Sequence, residues 1–397
     1  MLLGPAFVAA IAYVDPGNVA ANLTGGARYG YLLVWVLVGA NLMAAMVQYQ
    51  SAKLGIVTGQ TMPELLGKRM RTGPRRAFWA QAELVAVATD LAEVIGGAIA
   101  LWLLFDVPLF LGGLIVGGVS MMLLALQTRF GQRPFETVII GLLAIVAFGF
   151  LAGLFVSPPD AGAIVGGLVP RFEGTDSVLL AAGMLGATVM PHAIYVHSAL
   201  ARDRHGMATD ATRGRLLRST KVDVIVALGI AGVVNIGMLL LAAVNLRGIE
   251  GTDTIEGAHA AIESTLGPGV ALVFAIGLLA SGLASTSVGS YAGATIMAGL
   301  LKRRIPLFAR RVITLVPALV ILAVGVDPTW ALVLSQVFLS FGIPFALVPL
   351  LRLTSDRAIM GESANSRTVK WILGLIVVLV VALNLALIVL TFTGGGA

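Results

Sequence analysis

The chain has 397 residues, of which 58% are hydrophobic and only 12% charged, against about 25% charged in soluble globular proteins. So little charge cannot clothe a surface in water, which excludes an ordinary cytoplasmic enzyme, a disordered chain and a coiled coil. Cysteine is absent, so disulfides, Fe–S clusters and thiolate metal sites are excluded too, and the net charge of +6 gives no case for nucleic acid because the bases fall in loops.

Hydropathy predicts an all-α membrane protein with about eleven spans. They run roughly over 4–26, 31–56, 76–105, 109–127, 135–156, 177–201, 219–246, 259–300, 308–326, 329–352 and 369–393. Continuous apolar runs such as 371–393 and a glycine count of 48 suit close-packed helices better than the alternating strands of a barrel. The eighth span is too long for one straight crossing and predicts an extra turn or helix outside the bilayer. The first span carries Asp15, Pro16, Gly17 and Asn18 in its middle and has no basic leader, so it does not read as a cleavable signal peptide. The chain opens abruptly on "LLGPAF", which leaves room for a longer natural N-terminus.

Sorting the 26 Lys and Arg by loop fixes an orientation. All but Arg28, Arg171 and Arg247 fall in the 2–3, 4–5, 6–7, 8–9 and 10–11 connections. The positive-inside rule makes that side cytoplasmic, with the N-terminus inside and the C-terminus outside. The opposite loops carry Asp106, Asp160, Glu173, Asp176, Glu250, Asp253, Glu256, Glu263 and Asp327. Two readings of these acids stand: a field that concentrates cations at the outer mouth, or solvated loop charges that serve topology alone.

Two spans are interrupted. Pro16 and Gly17 should unwind the first, because proline removes a backbone donor and glycine tolerates unusual dihedrals. Unwound backbone at membrane depth is tolerated only when buried in protein or lining a cavity. An ionised Asp15 at that depth costs at least about 2.5–3.5 kcal/mol and so needs a partner. Met190-Pro191-His192 interrupts the sixth span in the same way. Spans 1–5 (residues 1–156) and 6–10 (177–352) then form two halves, each led by a broken helix, with 369–393 as an added span. Five is odd, so the second half is inverted relative to the first, the pattern of an inverted-repeat transporter with a midplane site between the breaks.

The donors at the breaks suit a cation: the Asp15 carboxylate, the Asn18 amide oxygen, the Met190 thioether, and freed carbonyls such as those of Ala12 and Ala187. A thioether offers little to Mg²⁺ or Ca²⁺ but helps hold Mn²⁺, Fe²⁺ or Cd²⁺. The alternative for Met190 is gap-filling in a packed helix.

Here the residues resemble a known family. "DPGN" on the first span and "MPH" on the sixth look like the signature pair of the Nramp family of proton-coupled divalent metal transporters. "QAELVAVATDLAEVIG" on span 3 and "SQVFLSFGIPFALVPL" on span 10 are similar as well. The resemblance covers nearly the whole chain and implies a LeuT-type fold that imports Mn²⁺ and Fe²⁺, often with Co²⁺ and Cd²⁺. It implies metal ligation by Asp15, Asn18 and Met190, carbonyl ligands from Ala12 and Ala187, and an approach to the metal by Gln336. Some relatives that move Mg²⁺ lack the methionine, so Met190 points to the transition-metal branch.

Span 3 also carries Glu83, Asp90 and Glu93 within about 80° of one another on one helix face. Three acids on an apolar helix must face the bundle interior. They read either as a proton wire or as a static salt-bridge network with Arg310 and Arg311, and the two are compatible. The resemblance implies that Asp90 and Glu93 relay protons, with Glu83, Arg310 and Arg311 nearer the cytoplasm. His192 and His197 on span 6 either shuttle protons or pack in satisfied positions, and the resemblance ties His192 to coupling or gating instead of ligation. Asn41 and Asn235 read as interhelical hydrogen-bonding residues.

The expected protein is a monomeric, multi-pass plasma- or inner-membrane symporter. It takes up Mn²⁺ or Fe²⁺ with H⁺ by alternating access, needs no cofactor beyond the metal it carries and binds no nucleic acid. Two alternatives share this architecture: a hard-cation transporter and a Na⁺-coupled amino-acid transporter. A metalloenzyme would need a ligand set such as H-E-x-x-H, which the sequence lacks.

Overall fold

The computed structural model describes residues 4–303 and 306–392. Residues 1–3, Arg304 of the 8–9 connection and Thr393 at the end of the last predicted span lie outside them. The described chain is helical throughout. The first broken span is α1 (Pro5–Ile11), a 3₁₀ turn (Ala12–Val14) and α2 (Pro16–Tyr29). Next come α3 (Val34–Thr58), α4 (Met62–Arg69), α5 (Thr72–Phe105), α6 (Leu109–Phe130), α7 (Gln132–Val156) and α8 (Ala161–Gly166). The second broken span is α9 (Gly174–Thr188) and α10 (Pro191–His205). The remainder is α11 (Asp210–Asn245), α12 (Ile255–Leu266), α13 (Pro268–Leu300), α14 (Leu307–Val324), α15 (Pro328–Ser355), α16 (Arg357–Met360) and α17 (Arg367–Phe392).

Eight helical stretches among the described residues are long and apolar enough to cross a membrane, with α9 and α10 taken together. The first, second and ninth predicted spans complete the set of eleven, and each is shorter or more polar. The α1–α2 span is interrupted, α3 carries Gln48, Gln50 and Lys53, and α14 opens on Arg310 and Arg311. The over-long eighth span divides as expected, into α12 and α13, at Gly267 and Pro268. Gly267 adopts φ 92°, a conformation that terminates α12, and Pro268 starts α13 where its missing N–H costs nothing. Helix α11 starts at Asp210, well before the predicted 219, because a Thr209–Thr212 capping box launches it in polar sequence that hydropathy cannot see.

Glycines let the central helices touch. A Cβ on Gly282 of α13 would lie 2.9 Å from the Cα of Gly97 on α5, and one on Gly149 of α7 would lie 2.7 Å from the Cα of Gly277 on α13. Small residues at such seams are the membrane substitute for a water-driven core. Around this seam one apolar cluster joins Ile11, Tyr13 and Val19 of the first break to Met190, Ala193 and Val196 of the second.

Candidate metal site between two helix breaks

The first break follows from its local sequence. A residue before proline is pushed out of the α region, and Asp15 is extended at φ −72°, ψ 167°. From there it caps α2. Its Oδ1 accepts the backbone N–H of Asn18 at 2.8 Å and the Asn18 side-chain amide at 2.7 Å. Its Oδ2 is buried with no hydrogen-bond partner. Two carbonyls of the intervening turn are taken: Asn235 Nδ2 donates to Tyr13 O at 2.7 Å and Ser281 Oγ to Val14 O at 2.5 Å. Ala12 is fully buried in the same turn.

The second break has the same X-Pro design without a charge. Val189 and Met190 leave the helix, and Pro191 opens α10 with no side-chain cap. Met190, His192 and Ala187 are all buried. Asn18 joins the two breaks, since its Nδ2 also donates to Ala187 O at 2.9 Å and Thr188 Oγ1 lies 3.5 Å from its Oδ1. Gln336 of α15 packs on the first break so closely that a Cβ on Gly17 would fall 1.8 Å from its Nε2, and its Oε1 is buried without a partner. Asp15, Asn18, Ala187 and Gln336 therefore meet at one locus, and Met190 occupies the residue just before the neighbouring helix start. No cluster of three His, Asp or Glu exists among the described residues, so a metal held here must use amide, carbonyl and thioether donors beside a single carboxylate.

The acids of α5 divide into paired and unpaired groups. Asp90 receives both oxygens' contacts from the Arg311 guanidinium and a 2.5 Å hydrogen bond from Thr286 Oγ1, while Arg311 Nε donates to Ser120 at 2.7 Å. Glu83 pairs with Arg310 at 2.7 Å. Glu93 is fully buried, has no hydrogen-bond partner for either oxygen among the described residues, and rests against Gly289 of α13. It lies on α5 about one turn beyond Asp90 and one turn before Gly96, which packs on the Pro16 ring, so it stands between the break and the ion pairs. His192 Nδ1 faces Thr89 Oγ1 at 3.4 Å. His197 Nδ1 sits 2.7 Å from Gln48 Oε1, and Gln48 donates to the Tyr13 hydroxyl at 2.6 Å.

Several functional-looking groups escaped the sequence reading. The Tyr13–Gln48–His197 chain needed the tertiary fold. Asp223 and Glu136 did not: both are acids within predicted spans, the same signal that singled out Glu83, Asp90 and Glu93. Asp223 accepts the backbone N–H groups of Gly4 and Ala6 at 3.0 Å each and so anchors the start of α1. Glu136 lies beside it, 3.7 Å from Arg204. Asn235 bonds across helices as expected, accepting from Asn22 at 2.8 Å. Asn41 instead packs on Gly232 with Oδ1 unpartnered. At the acidic end, a cavity of about 680 Å³ above α2 is lined by Asp176, Glu250 and Asp253 but also by Arg28 and Arg247. Arg28 is paired with Asp253 at 3.6 Å, so the mouth is mixed in sign where loop counting made it plainly acidic.

Broken helices around a buried polar locus define a fold class, the LeuT-like fold. The fold is shared with Mhp1, a nucleobase-cation-symport-1 family transporter, at a TM-score of 0.62 and 15% identity over 93% of this chain and 81% of that one. At that identity the likeness concerns the fold alone. The family is settled by closer likenesses. The description "Natural resistance-associated macrophage protein-like" (Nramp) matches residues 6–390, and the chain belongs to this family. It is 61% identical to the divalent metal cation transporter MntH of Mycobacterium tuberculosis over 394 residues, covering 99% of this chain and 92% of that protein. It is 49% identical to MntH of Bacillus subtilis, covering 98% and 92%. The crystal structure of the Eremococcus coleocola manganese transporter with an aromatic bis-isothiourea compound matches at a TM-score of 0.88 and 32% identity, over 96% of this chain and 85% of that one.

Proposed function

We propose that this protein imports divalent transition-metal ions, Mn²⁺ and Fe²⁺ foremost and Cd²⁺ and Co²⁺ besides, together with protons by alternating access. The observation that carries the reading is Asn18, whose amide bridges the Asp15 carboxylate of one break to the Ala187 carbonyl of the other. Rotating that amide by half a turn presents its oxygen in place of its nitrogen. Asp15, Asn18 and Ala187 then offer three oxygens to a cation, with the Met190 thioether as the soft donor that disfavours Mg²⁺ and Ca²⁺. Gln336 and Ala12 complete the set. The names of the relatives, divalent metal cation and manganese transporters, agree with this donor set.

Metal and proton compete for the one carboxylate at the break. Glu93, without a hydrogen-bond partner among the described residues and between the break and the ion pairs, is the first acceptor for the displaced proton. Asp90 passes it on as its ion pair with Arg311 loosens, and Glu83 with Arg310 forms the exit. His192 and His197 flank the route. The basic end of the bundle faces the cytoplasm of a cell or inner membrane, and one chain suffices as the transport unit.

The test is Mn²⁺ uptake into proteoliposomes with a lumenal pH dye and an excess of Ca²⁺ or Mg²⁺. Uptake that resists both competitors and acidifies the lumen is expected. Block by Mg²⁺ moves the protein to a hard-cation reading. Absence of uptake by correctly folded protein overturns the metal reading and reopens amino-acid transport.

A further inference from the structure

Away from the two breaks, the start of α5 and the end of α13 enclose a cavity of about 630 Å³ lined by Arg75, Arg76, Trp79 and Arg303 together with Ala77, Ala80 and Leu301. Three arginines lining one cavity repel one another unless anions compensate them. Among the described residues, no carboxylate stands within ion-pair distance of any of the three. Arg75 spends one Nη1 contact on Gly67 O at 3.3 Å, and its Nε is buried with no hydrogen-bond partner. Arg75 is thus fixed by its contact with Gly67, while Arg76 and Arg303 are exposed with no partner among the described residues, and guanidiniums grouped in this way suit a multidentate oxyanion, of which phosphate is the usual one.

The surroundings select the source of that phosphate. Along α5 the exposed positions Ala77, Ala80 and Leu84 fall on one side of the helix, and Leu84 is 65% exposed. An apolar stripe thus runs from the cavity toward the middle of the span. Trp79 stands at the cavity, the amphipathic residue that favours the headgroup level of a bilayer. A soluble anion has no use for such a stripe, whereas an acyl chain does.

We infer that this cavity binds the phosphate of an anionic phospholipid, with Arg75, Arg76 and Arg303 around the headgroup and an acyl chain along Ala77, Ala80 and Leu84. Basic pockets between membrane helices recognise such headgroups. The bound lipid sits one helical turn from Glu83, whose partner is Arg310, so it reaches the neighbourhood of that ion pair. The inference does not depend on which ion the protein carries.

The experiment follows thermal unfolding of the purified full chain in detergent, without added metal. Phosphatidylglycerol, phosphatidylcholine and inorganic phosphate are titrated separately. The variants are the R75Q/R76Q/R303Q triple and R76Q alone, with R129Q as a control from the same basic end. Phosphatidylglycerol should protect the wild type and the control, and phosphatidylcholine should not. The triple variant should lose roughly 100-fold in apparent affinity for phosphatidylglycerol, and R76Q about fivefold. The single variant decides the matter if the triple does not fold, because Arg76 is exposed and its removal breaks no hydrogen bond or ion pair among the described residues. Unchanged phosphatidylglycerol affinity in the variants, or equal protection by phosphatidylcholine, overturns the site. Equal protection by inorganic phosphate at the same concentration overturns the lipid in favour of a soluble anion.

Discussion

The two helix breaks share a design and differ in how they are held. Each places an extended residue before a proline that starts the next helix. In the first, that residue is Asp15, which caps α2 through its own side chain. In the second it is Met190, which offers the start of α10 nothing, and no side chain caps it. The neighbours differ in kind as well. Gly96 of α5 lies against the Pro16 ring, where a Cβ would fall 2.1 Å from Pro16 Cβ. Gly186, just before the second break, faces the Ser340 hydroxyl of α15 at a corresponding 2.2 Å. A proline ring cannot yield, while a serine hydroxyl can rotate away. The first break is therefore rigid, capped by its own aspartate, and carries the one carboxylate. The second is neutral and takes its geometry from Asn18, Thr188 and α15. A site built between one stiff and one adaptable element can hold a fixed anchor for a cation and still rearrange around it.

The largest effect expected from this difference is at Asp15. Asparagine caps helices as well as aspartate does, so Asp15→Asn should leave α2 and the fold intact while removing the only carboxylate at the breaks. Outer-shell changes alone cost about 10–100-fold in metal affinity, and loss of a direct ligand should cost at least the upper end. Calorimetry with Cd²⁺ reads this directly, and wild-type affinity in the variant would show that the first break is not the anchor. The next effect concerns rigidity. Gly96→Ala should destabilise by about 1–3 kcal/mol, the cost of overpacking a site that cannot relax. Gly186→Ala should cost distinctly less, because the Ser340 hydroxyl can turn aside. Thermal unfolding of both variants side by side checks the contrast, and equal losses would erase it.

Much of this was legible in the sequence because it is local. Pro16 and Pro191 announced the breaks, the length of the eighth span announced an extra helix though not where it ends, and the acids of α5 announced an interior face. What was not legible is pairwise. Nothing in "DPGN" tells which group the Asn18 amide meets, because Ala187 lies in the other half of the chain and its carbonyl is freed by a different proline. The Tyr13–Gln48–His197 chain joins three helices and has no spacing to betray it. The α5 acids illustrate the limit on one helix. Their common face was predicted, yet pairing separates them, since Asp90 and Glu83 hold arginines whereas Glu93 has no hydrogen-bond partner among the described residues. Asp223 and Glu136 are a different matter. They are charges within apolar spans, the same signal that marks the α5 acids, and they are legible without the tertiary fold.

The smallest effect expected is also the one that assigns the second break a purpose. Met190 is fully buried in the same apolar cluster as Ala193 and Val196, so truncation to alanine would confound ligation with a cavity cost of about 2–5 kcal/mol. Met190→Leu conserves volume and should cost under about 1.5 kcal/mol in stability, leaving the thioether as the main chemical change. One weak soft donor is worth no more than about tenfold in Mn²⁺ or Cd²⁺ affinity, or 1.4 kcal/mol. Ca²⁺, which gains nothing from sulfur, should keep its affinity. The two metals therefore draw together, and Ca²⁺ should compete against Mn²⁺ better in the variant than in the wild type. Competition titrations read this ratio without requiring transport. If the leucine variant discriminates against Ca²⁺ as well as the wild type does, Met190 is packing. Selectivity would then rest with the charged, rigid break, and the adaptable one would serve only to move.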